Sequence, residues 1–173
     1  MDSAERPAAA AAVDASLAQL GLPRARARIA AYRATDGEID PAILLRRARA
    51  LRCEVYFPVI TSLRGRRMRF VDDDARDIGA RWLDLVLVPL VGFDASGNRL
   101  GMGAGFYDRH FAFLRHRRAW HRPRLIGLAF EVQRVERLAA NTHDVPLWGI
   151  VTERGIYGTA AAHARGASGG IDR

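Results

Sequence analysis

An α/β domain with a mainly parallel sheet is the fold class this sequence predicts, and three observations carry it. Short, unbroken apolar runs recur, LVLVPLV at residues 85–91 and LIGLAF at 125–130. Runs of that length without polar alternation suit strands covered on both faces. Helix-like stretches at 41–51, 106–118 and 132–140 separate such runs, so strands alternate with helices along the chain. Between the run at 85–91 and the stretch at 106–118, glycine takes every second position, at Gly101, Gly103 and Gly105. Such glycines let backbone approach a ligand closely, and the amides at a helix start attract anions.

In chain order, residues 1–23 form a variable, alanine-rich segment in which 14–20 predicts a short helix ended by Gly21 and Pro23. Residues 24–159 make up the α/β domain. Its first strand is read at 29–32, followed by a turn at 35–41 where Asp40 caps the next helix and Pro41 takes its first position. A strand at 53–60, a turn at 61–65 and a strand at 67–71 predict a hairpin. The acidic stretch with Asp72, Asp73 and Asp74 reads as a solvated turn rather than a metal site, and 94–98 as a second turn. A last strand falls at 149–152. The glycine-rich tail at 160–173 predicts disorder.

Composition narrows the function classes. A length of 173 residues fits one domain with a sizeable core. No apolar run approaches the length of a membrane span, and the alanines at 8–12 lack the basic start of a signal peptide. Cys53 is the single cysteine, which excludes an internal disulfide and cysteine-built metal sites and fits a cytoplasmic protein. Its place in a strand beside Val55 and Phe57 reads as packing. Net charge is +8 with every basic residue an arginine. That charge attracts polyanions, but the arginines are dispersed and no nucleic-acid motif accompanies them, so a solvated basic face is the favoured reading.

The chemistry concentrates around the glycine loop. It is not GxGxxG, because Phe106 stands where the third glycine belongs, nor a Walker loop, because the chain has no lysine. Arg99 on one side offers a fork for phosphate oxygens, and Asp108 on the other a carboxylate of the kind that holds Mg²⁺ beside phosphates. Glu38 stands at a strand end, where ligands bind in open α/β sheets. On residue type alone, support of the turn and helix dipole is the stronger reading of Glu38. Adjacent His143 and Asp144 point apart in an extended segment and make no acid/base pair.

With these residues in view, the chain resembles the 5-formyltetrahydrofolate cyclo-ligases, also called methenyltetrahydrofolate synthetases. Their signature is an apolar strand ending in Pro, a Phe-Asp pair and an Arg-Leu-Gly-x-Gly-x-Gly-Tyr-Tyr-Asp-Arg loop. Here VPLVGFD at 88–94 is followed by RLGMGAGFYDR at 99–109, with Phe106 in the first aromatic position. The likeness extends more loosely over 32–153. It implies a single three-layer domain, a monomer, with nucleotide and folate in one cleft. The implied reaction is ATP-dependent closure of 5-formyltetrahydrofolate to 5,10-methenyltetrahydrofolate.

The same resemblance assigns the site. Arg99, Leu100, Gly101, Met102, Gly103, Ala104, Gly105, Phe106 and Tyr107 cradle ATP, with Arg99 and Tyr107 in catalytic positions. Glu38, Arg33, Met102 and Phe106 contact the reduced folate, and Asp108 and Asp144 attend Mg²⁺. Two departures accompany it: the opening residues lack the basic helix whose Lys/Arg pair grips phosphates, and 71–82 lacks a Glu-Pro loop. Arg24, Arg26 and Arg28 are then the nearest replacements for the lost phosphate contacts. Two other classes compete with the cyclo-ligase reading, a nucleotide-binding relative with another substrate and a basic RNA-associated protein.

Overall fold

The computed structural model describes residues 4–35, 37–101, 105–116, 122–139 and 142–159. Among the described residues, ten strands and three α-helices follow in the order α1 (Arg6–Gln19), β1 (Arg28–Ala30), α2 (Ala42–Ala50), β2 (Glu54–Ser62), β3 (Arg67–Val71), β4 (Asp77–Ile78), β5 (Leu85–Pro89), β6 (Gly92–Phe93), β7 (Arg99–Leu100), α3 (Phe106–His110), β8 (Arg124–Leu128), β9 (Gly149–Val151) and β10 (Ile156–Tyr157). Eight strands form one sheet in the order β10-β9-β8-β5-β1-β2-β3-β4. The five from β9 to β2 run parallel, while β10, β3 and β4 add antiparallel edges. The fold class is as predicted.

Apolar runs at the centre become strands because both sheet faces are covered. In β5, Leu85 and Leu87 enter one buried cluster with Ile29, Ile126 and Val151 beneath α1 and α2. Val86 and Val88 point the other way, into a cluster with Leu125, Ile150, Phe70, Phe93 and Phe111. Period-two alternation thus divides one hydrophobic run between two cores. Gly127 of β8 sits where Leu90, Leu147 and Ile150 close in, and an added Cβ would meet Leu90 at 2.6 Å.

Several expectations are corrected. The short helix expected at 14–20 is longer and starts at Arg6, with a proline in its first turn; Ala9, Ala10, Val13 and Leu17 are buried in the core. Alanine is the strongest helix former, and its small side chain lets the helix lie close to the sheet. Asp14 on this helix also takes a two-pronged ion pair from Arg47 on α2. The helix expected over 106–118 ends at His110 and gives way to a 3₁₀ turn at Ala112–His116. The helix expected over 132–140 is a 3₁₀ turn at Glu131–Gln133 followed by irregular chain. Strands β4, β6, β7 and β10 were not expected.

Cys53 packs against the core, and its thiol donates to the Arg24 carbonyl at 3.2 Å. No helix among the described residues is long and apolar enough to cross a membrane. The tail at 160–173, the tip of the glycine loop at 102–104 and residues 117–121 lie outside the described residues.

Candidate active site

Parallel strands place their carboxyl ends at one pole, and the site is built there. From the end of β5 the chain enters the hairpin β6–β7, in which Gly92 pairs with Leu100 and Phe93 with Arg99. Its turn is organised by Asp94, only 2% exposed. That carboxylate accepts from the N–H groups of Ser96 and Asn98, from the Asn98 amide and from the distant Leu138 N–H, all at 2.8 to 3.0 Å. Burial alone would raise the Asp94 carboxyl; the bonds from Asn98, Leu138 and Ser96 outweigh it and hold the group below the usual carboxylate range. Asp94 therefore both shapes the turn and moors the 131–139 segment. Read from sequence, it was a turn former only.

Arg99 leaves β7 with its side chain 7% exposed. One nitrogen donates to the Val145 carbonyl at 2.6 Å, and the other pairs with Asp108 Oδ1. The same Oδ1 accepts the Val145 N–H at 2.9 Å. A closed triangle of Arg99, Asp108 and Val145 thus joins the glycine hairpin, α3 and the segment before β9. Oδ2 of Asp108 takes no hydrogen bond among the described residues.

This triangle borders a cavity of about 660 Å³, which Gly101 and Gly105 open on one side and His143 and Asp144 on the other. Four guanidinium groups line it, those of Arg66, Arg99, Arg109 and Arg115. Arg66 arrives from the β2–β3 turn and stands 3.4 Å from where a Cβ of residue 105 would lie. Gly105 has φ +62°, so a side chain there would be strained as well as crowded. Arg115 donates to the His143 carbonyl at 2.6 Å and fixes the opposite rim. Sequence reading leaves Arg66 and Arg115 on a solvated basic face; it holds the hairpin that carries Arg66 but no sign that this hairpin lies beside the glycine loop.

The other assigned residues divide. Tyr107 is brought close to Glu38, whose charge, after burial, is a cause of the raised proton affinity of the phenol. Tyr32 responds in the same way, first to burial and then to Glu38 and Tyr107. Both hydroxyls stay protonated, and that of Tyr32 donates to the Ile39 carbonyl at 2.6 Å. Glu38 itself accepts the Thr35 N–H at 2.8 Å, so it braces its turn while its charge reaches Tyr107. Asp40 accepts the Ala42 N–H at 2.9 Å, but α2 starts at Ala42 with Pro41 in the cap position and no side-chain cap, so Asp40 and Pro41 each stand one place before their expected positions. Phe106 packs on the second core, and Leu100 is exposed at the cavity edge.

Arg33 turns elsewhere: its guanidinium lies 4.2 Å over the Phe57 ring and 3.9 Å from Asp73, well exposed. Met102, Gly103 and Ala104 fall outside the described residues. The expectation that Arg24, Arg26 and Arg28 reach the phosphates fails on sheet polarity. Arg28 begins β1, level with Asp84 at the start of β5, and pairs with it. Arg24 and Arg26 lie at that same pole, at the far end of the strands from the glycine loop.

Among the described residues no three His, Cys, Asp or Glu side chains converge as a metal cage. A magnesium ion beside phosphates asks for less, one or two carboxylates with waters and phosphate oxygens. Asp144 and the open oxygen of Asp108 share the cavity and fit that requirement.

The model of the 5-formyltetrahydrofolate cyclo-ligase family matches residues 72–153. The 5-formyltetrahydrofolate cyclo-ligase of Escherichia coli (strain K12) is 30% identical over 148 residues, covering 75% of this chain and 79% of the relative. That of Haemophilus influenzae is 33% identical over 144 residues, covering 71% and 74%. Of solved structures, a 5,10-methenyltetrahydrofolate synthetase from Mycoplasma pneumoniae superposes with a TM-score of 0.75 at 23% identity, over 88% of this chain and 90% of that one. The Aquifex aeolicus 5,10-methenyltetrahydrofolate synthetase gives 0.72 at 23% identity, over 91% and 84%. The structures speak to the fold and the two sequence relatives to descent: the chain belongs to the 5-formyltetrahydrofolate cyclo-ligase family.

Proposed function

We propose that the protein is an ATP-dependent 5-formyltetrahydrofolate cyclo-ligase. The observation that carries this reading is the arginine-lined cavity over the glycine loop, set beside the Glu38–Tyr107 pair at the same pole. A formyl oxygen on nitrogen is a poor leaving group. In the proposed reaction it attacks the γ-phosphorus of ATP, and the bond to ADP breaks. N10 of the folate then attacks the formyl carbon, the new C–N bond closes the ring, N10 releases its proton and phosphate departs with the oxygen.

Such a transfer requires positioning and charge neutralisation rather than a side-chain nucleophile. Arg99, immobilised by Val145 and Asp108, offers a fixed positive group, and Arg66 and Arg109 add to it from two other elements. Asp108 and Asp144 would hold Mg²⁺, which supplies further neutralisation of phosphate charge. The protonated Tyr107 is a hydrogen-bond donor and not a base. Glu38 is suited to accept N–H groups of a pterin.

The test is the absorbance of the methenyl product with the protein, 5-formyltetrahydrofolate, ATP and Mg²⁺. Turnover that depends on both ATP and Mg²⁺ is expected. Glu38→Gln should raise the folate KM about tenfold, the scale of one charge-assisted hydrogen bond, with ATP binding retained. Loss of folate and ATP binding together would reduce Glu38 to its role at the Thr35 turn. ATP binding without turnover in the unsubstituted protein would assign the cavity to another acceptor.

A further inference from the structure

The parallel strands begin at the pole opposite the glycine loop, and a second cavity opens there. It encloses about 170 Å³ between the 22–27 turn and the first residues of β5 and β8. Arg24 and Arg26 contribute from the turn, Arg122 and Arg124 from the approach to β8, and Asp84 from the approach to β5. Asp84 is already spent on two arginines: Oδ2 accepts the Arg28 N–H at 2.9 Å and its Nε at 3.3 Å, and Oδ1 accepts Arg122 at 3.0 Å. Arg24, Arg26 and Arg124 form no ion pair among the described residues. Four arginines therefore line the cavity, and its one carboxylate is held by Arg28 and Arg122.

The cluster is also partly preorganised. Arg124 stacks 4.4 Å over the Trp148 ring, which holds its planar fork in one orientation. Burial and the nearby charges of Arg24 and Arg122 lower the proton affinity of Arg124, so both lie within electrostatic reach of it. Left alone, such a cluster repels itself. An anion relieves it.

We propose that this pole is a second anion site, which takes a small phosphate-type oxyanion between Arg24, Arg26 and Arg124. The fork geometry favours an ion with several oxygens over a halide. The cavity has room for orthophosphate or pyrophosphate with part of its hydration. Leu22, Ala27 and Leu85 wall it, which sets a concave limit where a nucleic-acid surface would be open. The length of β5, roughly 15 Å at 3.3 Å per residue, separates this site from the glycine-loop cavity, so the two do not share a ligand.

Trp148 supplies a local reporter. The full chain labelled with fluorotryptophan is titrated with pyrophosphate, and separately with orthophosphate, at low salt, the Trp148 fluorine resonance being assigned by a Trp148→Phe variant. The expected result is a saturable shift of that resonance with pyrophosphate. Arg24→Ala, at an exposed turn position, should raise the apparent Kd about tenfold, the size of one charge-assisted contact. Arg24→Glu should abolish saturation, while Arg66→Ala, which lies at the other pole, leaves the titration as it is. The backbone carbonyl of residue 24, which Cys53 and Ala27 use, survives both substitutions at that position. A Trp148 resonance that does not move, or that moves equally in Arg24→Glu, overturns the proposal. So does a single-stranded RNA that saturates the same shift at lower concentration than pyrophosphate, since that assigns the pole to nucleic acid.

Discussion

A carboxylate beside an arginine-lined cavity has two possible clients, a cation or a neighbouring guanidinium, and Asp108 serves the second with one oxygen while the other takes no hydrogen bond among the described residues. Asp94, fourteen positions earlier in the same motif, has no open oxygen: both are taken up by the turn and by Leu138. Asp94→Asn replaces an acceptor with a donor against several N–H groups. Leaving buried donors unsatisfied costs roughly 1–3 kcal/mol, and a lower melting temperature is expected in calorimetry. The pH dependence has a definite sign. A carboxyl with its folded pKa depressed contributes stability in full above the unfolded value, about 3.9, and loses it as pH falls through the lower folded value. The melting-temperature difference between the parent and Asp94→Asn should therefore be constant from pH 5 to 7, to take about those limits, and shrink below about pH 4. A difference that persists unchanged to pH 2 or so would exclude the charged-acceptor role. The sequence revealed which side chains are chemically able, such as Arg99 and Glu38, but not their engagements. Arg99 is legible as a phosphate fork, yet its bond to the Val145 carbonyl joins residues 46 apart in the chain.

At the scale of elements, the misread helices share a cause in tertiary competition. Phe106, Tyr107, Phe111, Phe113 and Leu114 all pack into or against the second core. A continuous helix would turn some of these outward, and the change to 3₁₀ geometry after His110 returns Phe113 and Leu114 to the core. In the 131–138 segment the backbone is committed elsewhere, with Val135 N–H on the Phe93 carbonyl and Leu138 N–H on Asp94. The Gln133 side chain meanwhile accepts from Phe130 N–H and donates to the Leu90 carbonyl. Local periodicity carries no trace of such bonds. Helix α1 erred in the opposite direction: its alanines give little pattern, yet they are what allows close packing. Leu17, fully buried on α1, tests whether that helix is integral to the domain. Leu17→Ala should cost about 2–5 kcal/mol, the range for deleting a core leucine, measured by denaturant unfolding at unchanged m-value. A loss under about 0.5 kcal/mol would make α1 a peripheral attachment.

For the whole molecule, the decisive fact is that a parallel sheet has two unlike poles. Sequence proximity made Arg24, Arg26 and Arg28 look like phosphate ligands, but they precede β1 and so lie at the strand starts. Arg66 is more than thirty residues from the glycine loop in sequence and reaches it because β2 is parallel to β1 and hands the chain over at the glycine-loop pole. From this the charge at the phosphates is expected to come from Arg66, Arg99 and Arg109. Arg99 also holds Asp108 and Val145 in place, so its removal confounds binding with structure. Arg66 and Arg109 allow a cleaner measurement. Arg66→Ala and Arg109→Ala should each raise the ATP KM about tenfold to a hundredfold, corresponding to roughly 1.5–3 kcal/mol for a charged hydrogen bond, with melting behaviour retained. Arg46→Ala, on the exposed face of α2, removes the same charge from elsewhere on the surface and should leave the ATP KM within about twofold. If all three variants raise the KM alike, general surface charge rather than the cavity attracts ATP. If Arg46→Ala alone is neutral, the phosphates sit at the glycine-loop pole, where β5 delivers its hairpin.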